Sequence, residues 1–190
     1  RTSYVEAESF LYRHIDWLKK EFFKIGPTTR VKQGSLIPVE DRMRTIKVNP
    51  EVGSGMIFSN QLIMVAGPGS KVQQQVLKCL KGYAMEILSP VVQSYAREIN
   101  KECMALKFRD TKGRWGSCSS SGRIMLNWRL IMAPSSVANY VAAHEVAHLA
   151  YLNHSQKFWN LVETLYPNYK AQKAWLKANG AALHRYEFTE

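Results

Sequence analysis

Cysteine is scarce: three residues in 190, Cys79, Cys103 and Cys118, with no C-x-x-C pair among them. An odd, widely spaced set excludes a disulfide framework and a cysteine zinc knuckle, and it fits a reducing, cytoplasmic compartment. No run of about 18 apolar residues occurs, so no membrane-spanning helix is expected. The chain also lacks a Gly-rich phosphate loop, a carboxylate cluster of the magnesium type, internal repeats and low-complexity tracts. Acidic residues are in short supply, 15 against 26 Lys and Arg, for a formal charge of +11 and a pI near 9.7. That balance favours polyanions generally: nucleic acid such as DNA, nucleotides, acidic proteins or an anionic membrane face. The cations are scattered, however, with only short clusters at Lys19-Lys20 and Arg42–Lys47, so charge alone selects none of these partners. The chain opens on Arg1 rather than Met and runs directly into a helical pattern. This reads as an N-terminally trimmed piece with no signal peptide in view.

What is present begins with ordinary globular material, 46% hydrophobic and 22% charged. The length suits one domain over 1–190, built as an N-terminal lobe (1–100) and a catalytic lobe (101–190). Glu6 to Ile25 predicts one amphipathic helix carrying Phe10, Trp17, Leu18 and Phe22, ended by Gly26-Pro27. Short strands are expected at Thr45–Val48, Met56–Phe58 and Leu62–Val65 before a firm break at Gly67-Pro68-Gly69. A long helix from about Ser70 to Lys101 follows, which Pro90 should kink or divide. Ala105–Arg109 and Ile124–Asn127 read as strands flanking a Gly- and Ser-rich stretch, Thr111–Gly122. The remainder is mostly helical. The order predicts an α+β fold in which a small mixed sheet borders an active-site helix.

That helix carries the chemistry. Residues 144–154 read His-Glu-Val-Ala-His-Leu-Ala-Tyr-Leu-Asn-His, an H-E-x-x-H motif with a third histidine after five residues. Two histidines four apart are separated by about 400° of helical rotation, so both rings leave one face and can share one metal ion. Glu145 is offset by about 100°, beside the metal, where it can take a proton from water. Chance would place such a motif in a chain this long about once in a hundred. Here it lies on a Gly- and Pro-free segment, Ser135 to Leu152, with Val137, Tyr140, Val141, Val146 and Leu149 at helical spacing. Leu152-Asn153 reads as the helix end, from which the chain turns and returns His154 to the metal; Ser155 caps a further helix through Phe158 and Trp159. Three protein ligands and one open position are the pattern of a catalytic zinc site, although an all-histidine set also suits nickel, copper or iron.

Ahead of the motif, Arg114-Trp115-Gly116-Ser117 is expected to line the cleft. An edge strand there would hold an extended substrate by its main chain, Gly116 would permit close backbone approach, and Arg114 or Arg129 would stabilise an oxyanion. The competing reading makes Trp115 packing, Gly116 a bulge and the arginines solvated or paired. Cys118 lacks any neighbour in sequence that would make it a nucleophile. His14 and His184 read as ordinary surface or core histidines, and Tyr169 as a buried tyrosine near the site.

Trp115-Gly116-Ser117-Cys118, Leu126-Asn127-Trp128-Arg129-Leu130-Ile131, Ala133-Pro134, Tyr140-Val141, His144-Glu145-Val146-Ala147-His148-Leu149, Asn153-His154-Ser155 and Phe158-Trp159 together resemble the YgjP-like metallopeptidase domain family, densely over residues 100–186. The resemblance implies a zincin-like, minigluzincin-like fold with His144, His148 and His154 as Zn2+ ligands and Glu145 as catalytic base. It implies a protein or peptide substrate. The family usually has additional N-terminal strands that this chain lacks. Through its H-E-x-x-H and a nearby His-x-x-x-Phe-Trp the chain is also similar to WLM and SprT-like proteases that act on proteins crosslinked to DNA. Two other functions compete: a metal-dependent nucleotide-triphosphate pyrophosphatase, an activity also attached to the family, and a nucleic-acid-binding module with a structural metal.

Overall fold

A 27-residue helix is the axis on which the rest is arranged. The structure, a computed structural model, describes residues 3–52, 56–66 and 71–188. The axial helix, α3 (Val72–Glu98), follows two N-terminal helices, α1 (Tyr4–Arg13) and α2 (Ile15–Ile25). Its buried positions are Val72, Val76, Leu80, Ala84, Leu88, Val92 and Ala96, one every four residues. Because a helix turns about 400° in four residues, such a stripe winds by about 40° per step. The first four positions therefore face one core and the last three another.

The first core is closed by a mixed sheet of β2 (Leu36–Val39), β3 (Arg42–Val48), β4 (Met56–Phe58) and β5 (Leu62–Val65) in the order β2-β3-β5-β4. Ile37, Val39, Ile46, Ile63 and Val65 alternate inward, the period-two burial of a one-sided sheet. The β2–β3 hairpin turns on Glu40 and Asp41, both at positive φ. Its tip reaches the other half of the molecule: Glu40 N donates to Ile131 O, Tyr83 Oη to the Glu40 carboxylate, and Ser135 N to Asp41 Oδ2.

The second core lies under a three-stranded sheet, β6 (Ala105–Arg109), β8 (Arg123–Asn127) and β7 (Gly116–Cys118), with β6 parallel and β7 antiparallel to β8. This is the small mixed sheet beside the motif helix that the sequence predicts. A buried 3-10 turn (Trp128–Met132) then leads into α4 (Ser135–Ala147), α5 (Gln156–Leu165), α6 (Tyr169–Asn179) and a second 3-10 turn (Gly180–Arg185). The chain closes with β9 (Tyr186–Glu187) pairing parallel to β1 (Thr29–Arg30).

Several expectations need correcting. The N-terminal helix is two helices, broken at His14, whose N–H turns to Leu11 O. Phe10 and Trp17 are exposed, because an amphipathic stripe encodes a preference for burial without supplying the surface; Phe22 lies outside the described side chains. Pro90 does not divide α3. The Glu86 carbonyl it leaves without a donor is on an exposed turn, where water can satisfy it, and α3 ends at Glu98 rather than Lys101. The motif helix ends at Ala147 with His148 as its cap residue, not at Leu152. Strands β1, β2 and β9 are absent from the sequence reading, the edge strand expected around Gly116 is β7, and the break at Gly67-Pro68-Gly69 lies outside the described residues.

Candidate metal centre

α4 is buried on nearly every side: Val137, Ala138, Tyr140, Val141, Ala142, Ala143, Val146 and Ala147 all lie inside. Its alanines let it approach α3 and the sheet closely, which fixes its axis and rotation. His144 and Glu145 come from its last turn. The segment after Ala147 tightens into 3-10 geometry, with Leu149 N donating to Val146 O and Ala150 N to Ala147 O. His148 Nδ1 lies 2.9 Å from Tyr151 O. The carbonyl fixes the tautomer with the proton on Nδ1 and leaves the Nε2 lone pair free. Ser155 then starts α5 by accepting from Phe158 N, and the intervening turn brings His154 back.

The three imidazoles form a nearly equilateral triangle, with centroids 5.0, 5.1 and 4.9 Å apart for His144–His148, His144–His154 and His148–His154. One ligating nitrogen from each lies within 4.8 Å of the others, and His144 Nε2 and His154 Nε2 are 3.2 Å apart. Two nitrogens bound tetrahedrally at 2.0–2.1 Å sit roughly 3.3–3.4 Å apart, so the His144–His154 pair already stands near the spacing a small divalent cation needs, with the His148 nitrogen within reach. Aromatic side chains hold the rings: His148 stacks on Phe158 at 4.5 Å, and His154 on Trp159 at 5.5 Å. Burial, then the neighbouring histidines and Lys173, push His144 down to about 3, and the same kinds of influence lower His154. Both rings are therefore neutral near pH 7, the form that donates a lone pair to a metal.

Glu145 is 5% exposed. Burial pushes its carboxyl up to about 8, against a downward pull from the Arg114 guanidinium. Its Oε2 has no hydrogen-bond partner among the described residues, and neither does His144 Nδ1. Gly116 explains how the carboxylate fits: a methyl group built there would overlap the Glu145 side chain, its carboxyl carbon 2.6 Å away. The sheet presents backbone to this glutamate, and no other residue type at 116 leaves room.

The sequence-predicted cleft residues have different fates. Gly116 meets Glu145 directly. Arg114 is exposed and acts on Glu145 through its charge. Trp115 is half-buried against both cores, its indole 5.2 Å from His184 and tight against Gly180; its aromatic contacts do not include the three histidines. Ser117 sits mid-strand opposite Met125. Trp115 O accepts from Asn127 N, and Ser119 N donates to Arg123 O. Hydrogen-bonded residues alternate along an antiparallel ladder, so the main-chain groups of Gly116 and Cys118 turn to the edge of β7 that no described strand covers. Burial, then the charge of Glu145, pushes the Cys118 thiol up to about 11, which agrees with an inert cysteine.

Arg129, one of two candidate oxyanion partners, is committed elsewhere. Its guanidinium is bidentate to Asp110 (2.8 and 3.0 Å) and donates to Leu183 O and Tyr186 O. Four ordered acceptors leave it no role at a reacting carbonyl, and this removes half of the arginine argument for nucleotide chemistry. Sequence reasoning missed Lys173, whose Nζ lies 4.1 Å from the Trp159 ring centroid, and the unbroken stack from His154 through Trp159 and Tyr169 to Tyr140. These residues come from α4, α5 and α6, and nothing local in the sequence announces their meeting.

A family model described as the YgjP-like metallopeptidase domain matches residues 1–179. No curated protein matches the chain. Among solved structures, the crystal structure of the metallopeptidase zymogen of Pyrococcus abyssi abylysin aligns with a TM-score of 0.43 and 21% identity, over 48% of this chain and 94% of that one. With residues 1–179 matched, this chain belongs to the YgjP-like metallopeptidase domain family.

Proposed function

We propose that this member of the YgjP-like metallopeptidase family is a zinc peptidase of zincin-like fold, a single domain in which an N-terminal lobe braces a catalytic lobe. His144, His148 and His154 are the residues that would hold the cation, and Glu145 is the general base. The observation that carries this reading is one juxtaposition: three imidazoles converge beside a buried carboxylate, one oxygen of which has no hydrogen-bond partner among the described residues. A divalent ion held by three imidazoles supplies Lewis acidity, lowering the pKa of water and polarising a carbonyl.

The chain's own groups do the rest. Glu145 accepts a proton from the attacking water and passes it to the leaving amine, and the burial that raises its basicity suits that task. Gly116 admits the carboxylate beside the strand, while the outward main-chain groups of Gly116 and Cys118 pair with an extended substrate as an added strand. Arg114 is the remaining arginine whose charge bears on the glutamate. Tyr151 O orients His148, and Phe158 and Trp159 fix the ring planes. Substrate is a protein or peptide.

Elemental analysis of protein prepared with zinc, alongside cleavage of a denatured protein substrate, tests the assignment. One zinc per chain is expected in the parent and in Glu145→Gln, with cleavage lost only in the variant, and zinc lost in His154→Ala. Undiminished cleavage by Glu145→Gln sinks the mechanism. Release of pyrophosphate from a nucleoside triphosphate, abolished by the same substitution, would replace the peptidase reading.

A further inference from the structure

We propose that Lys173 is a specificity-determining residue of this cleft, its ammonium binding a carboxylate side chain of the substrate beside the scissile bond, so that the enzyme selects acidic peptide segments. The inference rests on the peptidase reading and names its substrate class.

Lys173 stands on α6 directly over Trp159, at 4.1 Å from the ring centroid, and Trp159 is stacked on the candidate ligand His154. The indole therefore works as a spacer that holds one cation at the rim of the histidine triangle. A cation over an indole face keeps its outward hydrogens available while the ring restrains its position. No carboxylate pairs with Lys173 among the described residues, and α6 contains three lysines and no acid.

The surroundings point the same way. Between Thr111 and Phe188 the chain has nine Lys and Arg residues but only Glu145, Glu163 and Glu187 as acids. Glu187 lies 3.9 Å from Arg30, and Glu145 is the carboxylate buried at the centre. A substrate entering beside Arg114 or Lys173 thus meets positive potential, and the half of the chain that builds the cleft supplies few acids to compete. Nucleic acid is the other polyanion to consider. Single strands are held by basic tracks combined with free aromatic faces on which bases stack. Here Trp159 already stacks on His154 and Tyr169, and Tyr169 on Tyr140, so protein rings engage the available platform. A point cation beside a filled aromatic stack suits a single carboxylate.

Fluorescence anisotropy tests this without requiring turnover. The protein is zinc-loaded Glu145→Gln, and the probes are labelled peptides of one apolar sequence carrying two Glu, two Gln or two Lys. In the Lys173-containing protein the Glu peptide should bind about fivefold tighter than the Gln peptide, the scale of one exposed charge pair. Lys173→Gln should remove the difference, Lys173→Arg should keep it, and Lys173→Glu should shift preference to the Lys peptide. Zinc content and thermal midpoint should stay unchanged in Lys173→Gln, because the exposed side chain supports neither. An undiminished Glu preference in Lys173→Gln overturns the proposal. So does a single-stranded oligonucleotide that displaces the Glu peptide in a Lys173-dependent way and binds more tightly, which assigns the lysine to phosphate. Failure of the parent reading looks different: Lys173-dependent peptide preference with no cleavage by zinc-loaded wild-type protein would keep the carboxylate site and remove the peptidase.

Discussion

Two polar constellations sit at the same three-stranded sheet, each built round one buried charged side chain, Arg129 in one and Glu145 in the other, and they are finished to very different degrees. At one, Arg129 spends its guanidinium on both oxygens of Asp110 and on two main-chain carbonyls. At the other, Glu145 Oε2 and His144 Nδ1 have no hydrogen-bond partner among the described residues, and one nitrogen from each of three rings lies within 4.8 Å of the others. Buried polar groups are normally hydrogen-bonded, and each exception calls for a reason. The completed cluster is a structural knot that ties the 3-10 turn after β8 to the C-terminal segment. The incomplete one makes sense as a place where something else binds.

The sharpest way to break that contrast is to alter each cluster and measure both stability and activity. Glu145→Gln should lower proteolysis by about 10²–10⁴-fold, the usual weight of a general base. The thermal midpoint should hold, because the amide keeps the shape of a side chain whose Oε2 has no hydrogen-bond partner among the described residues; a clear loss of stability would place Glu145 with the structural group. Arg129→Ala should do the reverse. It takes the donor from two main-chain carbonyls, while Asp110 is left facing solvent; two acceptors losing their partner cost about 2–4 kcal/mol, read from urea unfolding. If activity falls while stability is unchanged, the knot is catalytic after all.

Gly116→Ala falls between the two, since its methyl group must push into Glu145. A loss of about 1–3 kcal/mol is expected for such overpacking. Glu145→Ala makes room for that methyl, so the double mutant should recover most of the loss; simple additivity would show that the contact is unimportant. The smallest effect concerns pH. Burial works to raise the Asp110 carboxyl, but the hydrogen bond and charge of Arg129, with His184, outweigh it and hold the group below its ordinary value. A carboxylate depressed in the folded state contributes stability above its unfolded pKa, about 3.9, and loses it as pH falls through the folded value. Wild-type stability should therefore fall more steeply than that of Asp110→Asn below about pH 4. Parallel acid limbs would remove the ion pair from the account of the knot.

The legibility of the two clusters differs for the same reason that their roles do. His144, Glu145 and His148 are near neighbours on a helix, so periodicity alone brings them together, and Ser155 marks the start of the next helix after His154. The Arg129–Asp110 pair spans 19 residues and reaches Leu183 and Tyr186 across more than 50. No local pattern distinguishes that arginine from a solvated one. The end of α4 at Ala147 escaped notice because no Gly or Pro marks it; the turn there is held by ring-to-carbonyl and 3-10 bonds. The pairing of β1 with β9 escaped because two-residue strands exist only once residue 29 meets residue 186.

Periodicity alone places most of the candidate donors: helical geometry is local, so the spacing of 144, 145 and 148 is enough to aim two imidazoles and a carboxylate from one turn. Tertiary structure alone decided which arginine stays available, which glycine must stand against Glu145, and which lysine overlooks the histidines. Those choices depend on packing between segments far apart in the chain, where close contact and burial, rather than periodicity, set the position and charge of each group.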